Sequence, residues 1–132
     1  MKVAVSSSGR DLSSPVEPRF CRCQYFVIVD TDSMAYEAVP NTGVGSAHGA
    51  GIEAARLVAS MGVKAVLTGN VGPNAYRALS ASSMEIVTGV SSTVEQAVKR
   101  YLRGELKPTR KPTVGGHFGT AGRGRGRGGG RR

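Results

Sequence analysis

The softest groups in the chain are two thiols and two imidazoles. Cys21 and Cys23 are separated by one residue, and the histidines are His48 and His117. One intervening residue is too short for a relaxed disulfide. The cysteines therefore read as free thiols, as metal or cluster ligands, as a reactive pair, or as two small loop residues. Thiolate and imidazole suit iron, zinc or copper, and they hold iron–sulfur clusters. Cys21, Cys23 and His48 are too few for a closed tetrahedral site. They suffice for a preformed cluster that brings its own sulfide.

Other chemistries lack their parts. Ser6, Ser7 and Ser8 have no evident His–acid partners, and no GxxxxGK[ST] element is present. A nuclease would need clustered carboxylates for its metal ions. Asp11 and Glu17 lie in a loop, and Asp30 and Asp32 lie beyond the far end of a strand. Gly49-Ala50-Gly51-Ile52-Glu53-Ala54 matches a GxGxxA pattern. The strand that follows ends in Leu67-Thr68-Gly69-Asn70, with no acid to hold a ribose. The pattern then reads as a glycine-rich entry to a closely packed helix.

The elements that must position these residues follow from hydrophobic periodicity. Val3 and Val5 predict a short strand over 2–6. A polar stretch with Pro15 and Pro18 runs to Gln24, a long loop with little apolar content to hold it, expected to move without a ligand. Tyr25 to Asp30 is aromatic and β-branched, the clearest strand. A turn at 31–33 leads to a third strand over 34–39. Helices are expected over 49–61, from Pro73, and after 92, with strands at 64–68 and 85–88. Ser92-Thr93-Val94-Glu95 reads as the capping box of the last helix.

The order is β-β-β-α-β-α-β-α, so the expected class is α/β with a five-stranded mixed sheet. Strands one and two, and two and three, should be antiparallel, and the βαβαβ portion parallel. Loops 6–24, 40–49, 69–73 and 89–92 would then share the edge at the carboxyl ends of the parallel strands, where open α/β sheets bind ligands. Helix N-termini near 49, 73 and 92 would favour an anion there.

Charge divides the chain. Residues 1–106 hold ten Lys/Arg and nine Asp/Glu, whereas 107–132 hold eight Lys/Arg and no acid. We therefore expect a nearly neutral domain over 1–106 and a disordered Arg/Gly-rich basic tail over 107–132. The tail, ending Gly122-Arg123-Gly124-Arg125-Gly126-Arg127, is similar to RGG-type segments that bind nucleic acid nonspecifically through phosphates and Arg stacking. No apolar run approaches membrane-spanning length and the N-terminus has no signal-peptide core, so a cytoplasmic, non-membrane protein is expected.

Four segments carry a family resemblance. They are Met1-Lys2-Val3-Ala4-Val5-Ser6, Glu17-Pro18-Arg19-Phe20 running into Tyr25–Asp30, Ala47-His48-Gly49-Ala50-Gly51, and Val66 to Asn74 (VLTGNVGPN). In that order they resemble the dinitrogenase iron–molybdenum cofactor biosynthesis family, the NifX-like proteins and the NifB C-terminal domain. The resemblance implies a ribonuclease-H-like, three-layer α/β/α fold. It also implies a non-catalytic carrier or accessory role for an iron–sulfur or iron–molybdenum cluster. The expected metal ligands are His48, Cys21 and Cys23, with Gly49, Gly51, Gly69 and Asn70 lining the cofactor. Cys21 and Cys23 stand where the family often has Gly and Ala. A cluster donor or acceptor protein would be the partner, and the protein a monomer or weak dimer.

Overall fold

Alternating side chains along a strand point to opposite faces of a sheet, and the strands here use that alternation to build two cores. The computed structural model describes residues 1–42 and 49–113. Its elements are β1 (Lys2–Ser7), a 3-10 turn (Phe20–Arg22), β2 (Tyr25–Asp30), β3 (Tyr36–Pro40), α1 (Ala50–Ser60), β4 (Ala65–Leu67), α2 (Pro73–Ala81), β5 (Glu85–Val87) and α3 (Val94–Leu102). The sheet is mixed and runs β3-β2-β1-β4-β5. β1 is antiparallel to β2 and parallel to β4, β2 is antiparallel to β3, and β4 is parallel to β5. The element order and strand directions are those expected from the sequence.

One face of the sheet presents Ala4, Phe26, Ile28, Val66 and Ile86 to α1 and α2, where Ala54, Ala55, Val58, Ala75 and Leu79 meet them. The other presents Val3, Val5, Val27, Val29, Ala65, Leu67 and Val87 to α3, through Val94, Ala97 and Val98. The chain has no Trp, so both cores rely on aliphatic side chains of modest size. The largest side chains buried completely or nearly so are Phe20 and Phe26, whose rings tilt against each other with centroids 5.1 Å apart.

Three local differences from the expectation have physical causes. β3 begins at Tyr36 rather than Met34, because Met34 takes a left-handed backbone (φ 63°) and donates its N–H to the Asp30 carbonyl at 2.7 Å. The turn is therefore wider than Thr31–Ser33. The capping box of α3 is Thr93 with Gln96, not Ser92 with Glu95. Both pairs fit the S/T-x-x-E/Q spacing. Ser92 sits at φ 72°, whereas an N-cap needs extended backbone. The frame starting at Thr93 is the one that buries Val94, Ala97 and Val98 together. Lastly, the 3-10 turn at Phe20–Arg22 was not anticipated.

The chain beyond Leu106 does not leave the domain at once. The Thr109 amide donates to the Ile86 carbonyl at 2.6 Å, and the hydroxyls of Thr88 and Thr109 are hydrogen-bonded. The Thr113 amide donates to the Val71 carbonyl at 2.9 Å, and the Val71 amide donates to the Thr113 hydroxyl at 2.8 Å. Residues 107–113 thus form a strap across β5 toward the loop after β4. The remainder of the expected tail, 114–132, lies outside the described residues.

Candidate functional site

The loops at the carboxyl ends of β1, β4 and β5 meet one another through backbone hydrogen bonds. The Glu17 amide donates to the Ser6 carbonyl at 2.9 Å, and the Ser6 hydroxyl returns a bond to the Glu17 carbonyl at 2.7 Å. Ser6 is also hydrogen-bonded to the Thr68 hydroxyl at 2.7 Å, both side chains being fully buried. The Asn70 amide donates to the Pro18 carbonyl at 2.6 Å, and the Phe20 amide donates to the Asn70 carbonyl at 3.2 Å. The Val16 amide reaches the Ser92 carbonyl at 2.9 Å, and the Gly89 amide reaches the Gly69 carbonyl at 2.8 Å. The loop after β1 was expected to be held by little. It is pinned along residues 14–20, because backbone donors and acceptors of strand ends distant in sequence pair with its own.

This arrangement assigns physical roles to the glycines. A Cβ on Gly69 would stand 2.6 Å from both the Cα and the carbonyl oxygen of Pro18. Only a residue without a side chain lets the two loops close. A Cβ on Gly51 would lie 3.2 Å from the Ala75 Cβ, at the contact of α1 with α2. Gly49 is the N-cap of α1 at φ 78°, with open space around it. That conformation suits glycine and leaves the helix start without a side-chain cap. Asn70 joins the loops through its backbone and is partly exposed.

The two cysteines occupy different environments. Cys21 is partly exposed in the 3-10 turn, whereas Cys23 is fully buried beside Phe20 and Phe26. Burial pushes the Cys23 thiol up to about 12, against the lowering effect of hydrogen bonds from the Ser7 backbone and the Asn41 side chain. At neutral pH it is a protonated core thiol, and thiolate is the metal-binding form. Asn41, itself buried, ties both cysteines to the start of the loop after β3. Its Nδ2 donates to the carbonyls of Cys21 (3.2 Å) and Cys23 (3.0 Å) and lies 3.8 Å from the Cys23 sulfur. Its amide donates to the Gln24 carbonyl at 3.0 Å. Sequence reasoning missed Asn41, whose only signal was its place in a Pro-Asn-Thr-Gly turn. His48 lies outside the described residues. Among the described residues, no group of three His, Cys, Asp or Glu could hold a metal ion.

The helix N-termini also differ. At α3 the amides are already satisfied: Val94 donates to the Ser14 carbonyl at 3.0 Å, Glu95 to the Leu12 carbonyl at 2.9 Å, and Gln96 to the Thr93 hydroxyl at 3.2 Å. The expected anion site near 92 is thereby corrected, because the loop occupies it. α1 and α2 start at Gly49 and Gly72 without side-chain caps. Around the edge stand Arg10, Arg19 and Arg22, all exposed. Arg10 lies over the Tyr25 ring at 5.9 Å, and Arg19 faces Glu17 at 3.7 Å.

A mixed sheet with helices on both faces, and with the loops after β1, β4 and β5 joined at one edge, defines a small α/β domain. Residues 1–104 match the family described as dinitrogenase iron-molybdenum cofactor, and the chain belongs to that family. It is 31% identical over 110 residues to an uncharacterized Methanocaldococcus jannaschii protein, covering 81% of this chain and 90% of the other. Among solved structures it is similar to the apo form of the orange protein from Desulfovibrio gigas. Identity there is 40%, the TM-score 0.83, and coverage 85% of this chain and 95% of that one. A candidate NifB protein from Thermotoga is 38% identical with a TM-score of 0.72, over 83% of this chain and 97% of that one.

Proposed function

We propose that this protein is a non-catalytic carrier or accessory protein for a metal–sulfur cluster of iron–sulfur or iron–molybdenum type, bound as cargo at the loop edge. The observation that carries the reading is the convergence of the loops after β1, β4 and β5, with Asn41 after β3 bonded to the first of them, beside helices α1 and α2 that start without side-chain caps. An anionic cluster gains there from helix amides and from Arg10, Arg19 and Arg22. His48 and Cys21 are the proposed ligands. Cys23 supports the turn from beneath, since exchanging its proton for a metal would require leaving the core. Gly49, Gly51, Gly69 and Asn70 hold the frame. The reading includes a ribonuclease-H-like topology, a domain over 1–106 with the Arg/Gly tail appended, a cytoplasmic location, a monomeric or weakly dimeric state, and exchange of cargo with a donor or acceptor protein. No helix among the described residues is long and apolar enough to cross a membrane.

Anaerobic reconstitution tests the reading. Incubation with iron and sulfide, or with an isolated iron–molybdenum-type cluster, should give a coloured protein with charge-transfer absorption after desalting. His48→Ala and Cys21→Ser should each lower the metal retained, with Cys23→Ser doing less. Failure of the wild-type protein to retain either cluster overturns the proposal.

A further inference from the structure

The strap over residues 107–113 repeats one tripeptide, Lys107-Pro108-Thr109 and Lys111-Pro112-Thr113, with Arg110 between. Lys107, Arg110, Lys111 and Thr113 are exposed, and Thr109 is partly so. The segment lies in neither a helix nor a strand. Proline has no amide hydrogen, so neither Pro108 nor Pro112 can donate to the sheet. The threonines therefore do the anchoring. Thr109 donates its amide to the Ile86 carbonyl, and its hydroxyl accepts from the Thr88 amide at 3.1 Å. Thr113 holds Val71 from both sides. Its amide and hydroxyl donate to the Val71 carbonyl at 2.9 and 3.2 Å, and the same hydroxyl accepts from the Val71 amide at 2.8 Å.

Arg110 and Lys111 precede Thr113 by three and two positions. An enzyme that modifies a hydroxyl draws the acceptor and its neighbours into its own cleft, so the segment must leave its place at small cost. Ser13 and Ser80 also follow an arginine by three positions. Ser80, however, lies within α2, and Ser13 stands between Leu12 and Ser14, whose carbonyls accept from the Glu95 and Val94 amides at the start of α3. Thr113 is freed by breaking its bonds to one residue. Its flanking cations suit a cleft lined with carboxylates, because complementary charge selects the partner and speeds encounter.

We propose that Thr113 is a phosphorylation site, read through Arg110 and Lys111 by a protein kinase with an acidic substrate cleft, and that phosphate there unlatches the strap from the loop after β4. The Thr113 hydroxyl oxygen attacks the γ-phosphorus of ATP, and the bond from that phosphorus to the bridging β–γ oxygen breaks. ADP leaves with the electron pair, and the hydroxyl proton passes to the kinase's base. The product is a phosphate ester carrying about −2 charge near neutral pH. Its ester oxygen has no hydrogen for the Val71 carbonyl, and its anionic oxygens repel that carbonyl. The seat at Val71 is lost, and the Val71 amide is released beside Asn70. The site is independent of the cluster reading, on which only an effect on cargo would rest.

Treatment of the full chain with the catalytic domain of a basophilic serine/threonine kinase, magnesium and ATP, followed by fragment mass spectrometry, tests the site. Phosphate is expected on Thr113, and Thr113→Ser should keep the transfer. Arg110→Gln/Lys111→Gln should lower its kcat/KM about tenfold, as loss of two exposed ion pairs would. Hydrogen exchange reads the switch. In the phosphorylated chain the Val71 and Thr113 amides should exchange about tenfold faster or more, while residues 14–20 stay protected. Thr113→Val, which removes the hydroxyl without adding charge, should give a smaller increase. No phosphate on Thr113, or equal transfer to the Arg110→Gln/Lys111→Gln variant, overturns the site. Phosphate on Thr113 with Val71 exchange unchanged, or no faster than in Thr113→Val, overturns the switch.

Discussion

The loop after β1 and the strap after α3 are alike in composition, short of apolar side chains and dotted with proline, yet they are held by different means. The loop is locked by backbone bonds to Ser6, Asn70 and Ser92, and one stretch of it passes within contact of Gly69. The strap hangs largely on two threonines, Thr109 and Thr113, each supplying both its amide and its hydroxyl. A segment whose backbone is bonded to strand ends shares in the stability of the sheet. A segment held by a few part-buried bonds at the rim of the domain opens at smaller cost.

Substitutions at the two anchor sets should separate them. Gly69→Val has the largest expected effect, because its Cβ meets Pro18 backbone at 2.6 Å and neither chain can yield alone. A loss of about 3 kcal/mol in denaturant melts is expected, at the upper end of overpacking costs. An effect below about 1 kcal/mol would mean that the loop is not locked.

Asn41→Ala comes next. It leaves the carbonyls of Cys21 and Cys23 without this donor, at a cost of about 1–3 kcal/mol for buried acceptors. It should also speed alkylation of Cys23, which in the wild type reacts only on unfolding, while Cys21 labels in the native state. Equal labelling of both thiols in the native protein would contradict the burial of Cys23.

The pH dependence of stability probes the same thiol. The Cys23 proton is held to about 12 in the fold, against 9.0 as its ordinary value. The unfolded chain therefore loses its proton first as pH rises. The stability that this burial contributes is present in full below about 9 and falls between about 9 and 12. Tyr101, pushed up to about 12 by burial and its hydrogen bond to Glu85, adds to the loss in the upper part of that range. Cys23→Ala should flatten the alkaline limb of the stability curve relative to the wild type.

The smallest effect belongs to the strap. Thr109→Val and Thr113→Val should each cost about 1 kcal/mol, the net worth of a typical hydrogen bond, because the bonds lost are only part-buried. Hydrogen exchange should quicken at residues 107–113 while residues 14–20 stay protected. Coupled loss of protection in both segments would erase the distinction between them.

Much of this molecule could be read from residue order, and the exceptions share a cause. Alternation in Val3–Val5 and Phe26–Val29 fixed the strands and the faces they present, and stripes such as Val94, Ala97, Val98 and Tyr101 fixed the helices. These patterns are local consequences of backbone geometry. The abrupt change in charge after Leu106 is likewise a property of the sequence itself. Packing decided the rest. Two overlapping capping boxes fit the start of α3 equally well, and the one that buries Val94 prevailed. Cys21 and Cys23 are the same residue type two positions apart, yet only contact with Phe20, Phe26 and Asn41 distinguishes an accessible thiol from a core one. Gly69 looked like part of a binding loop until Pro18, 51 positions away in the chain, was found against it. Periodicity describes which way a side chain points, but burial and close approach depend on what the rest of the chain brings there, and that is settled only when the distant segments have closed.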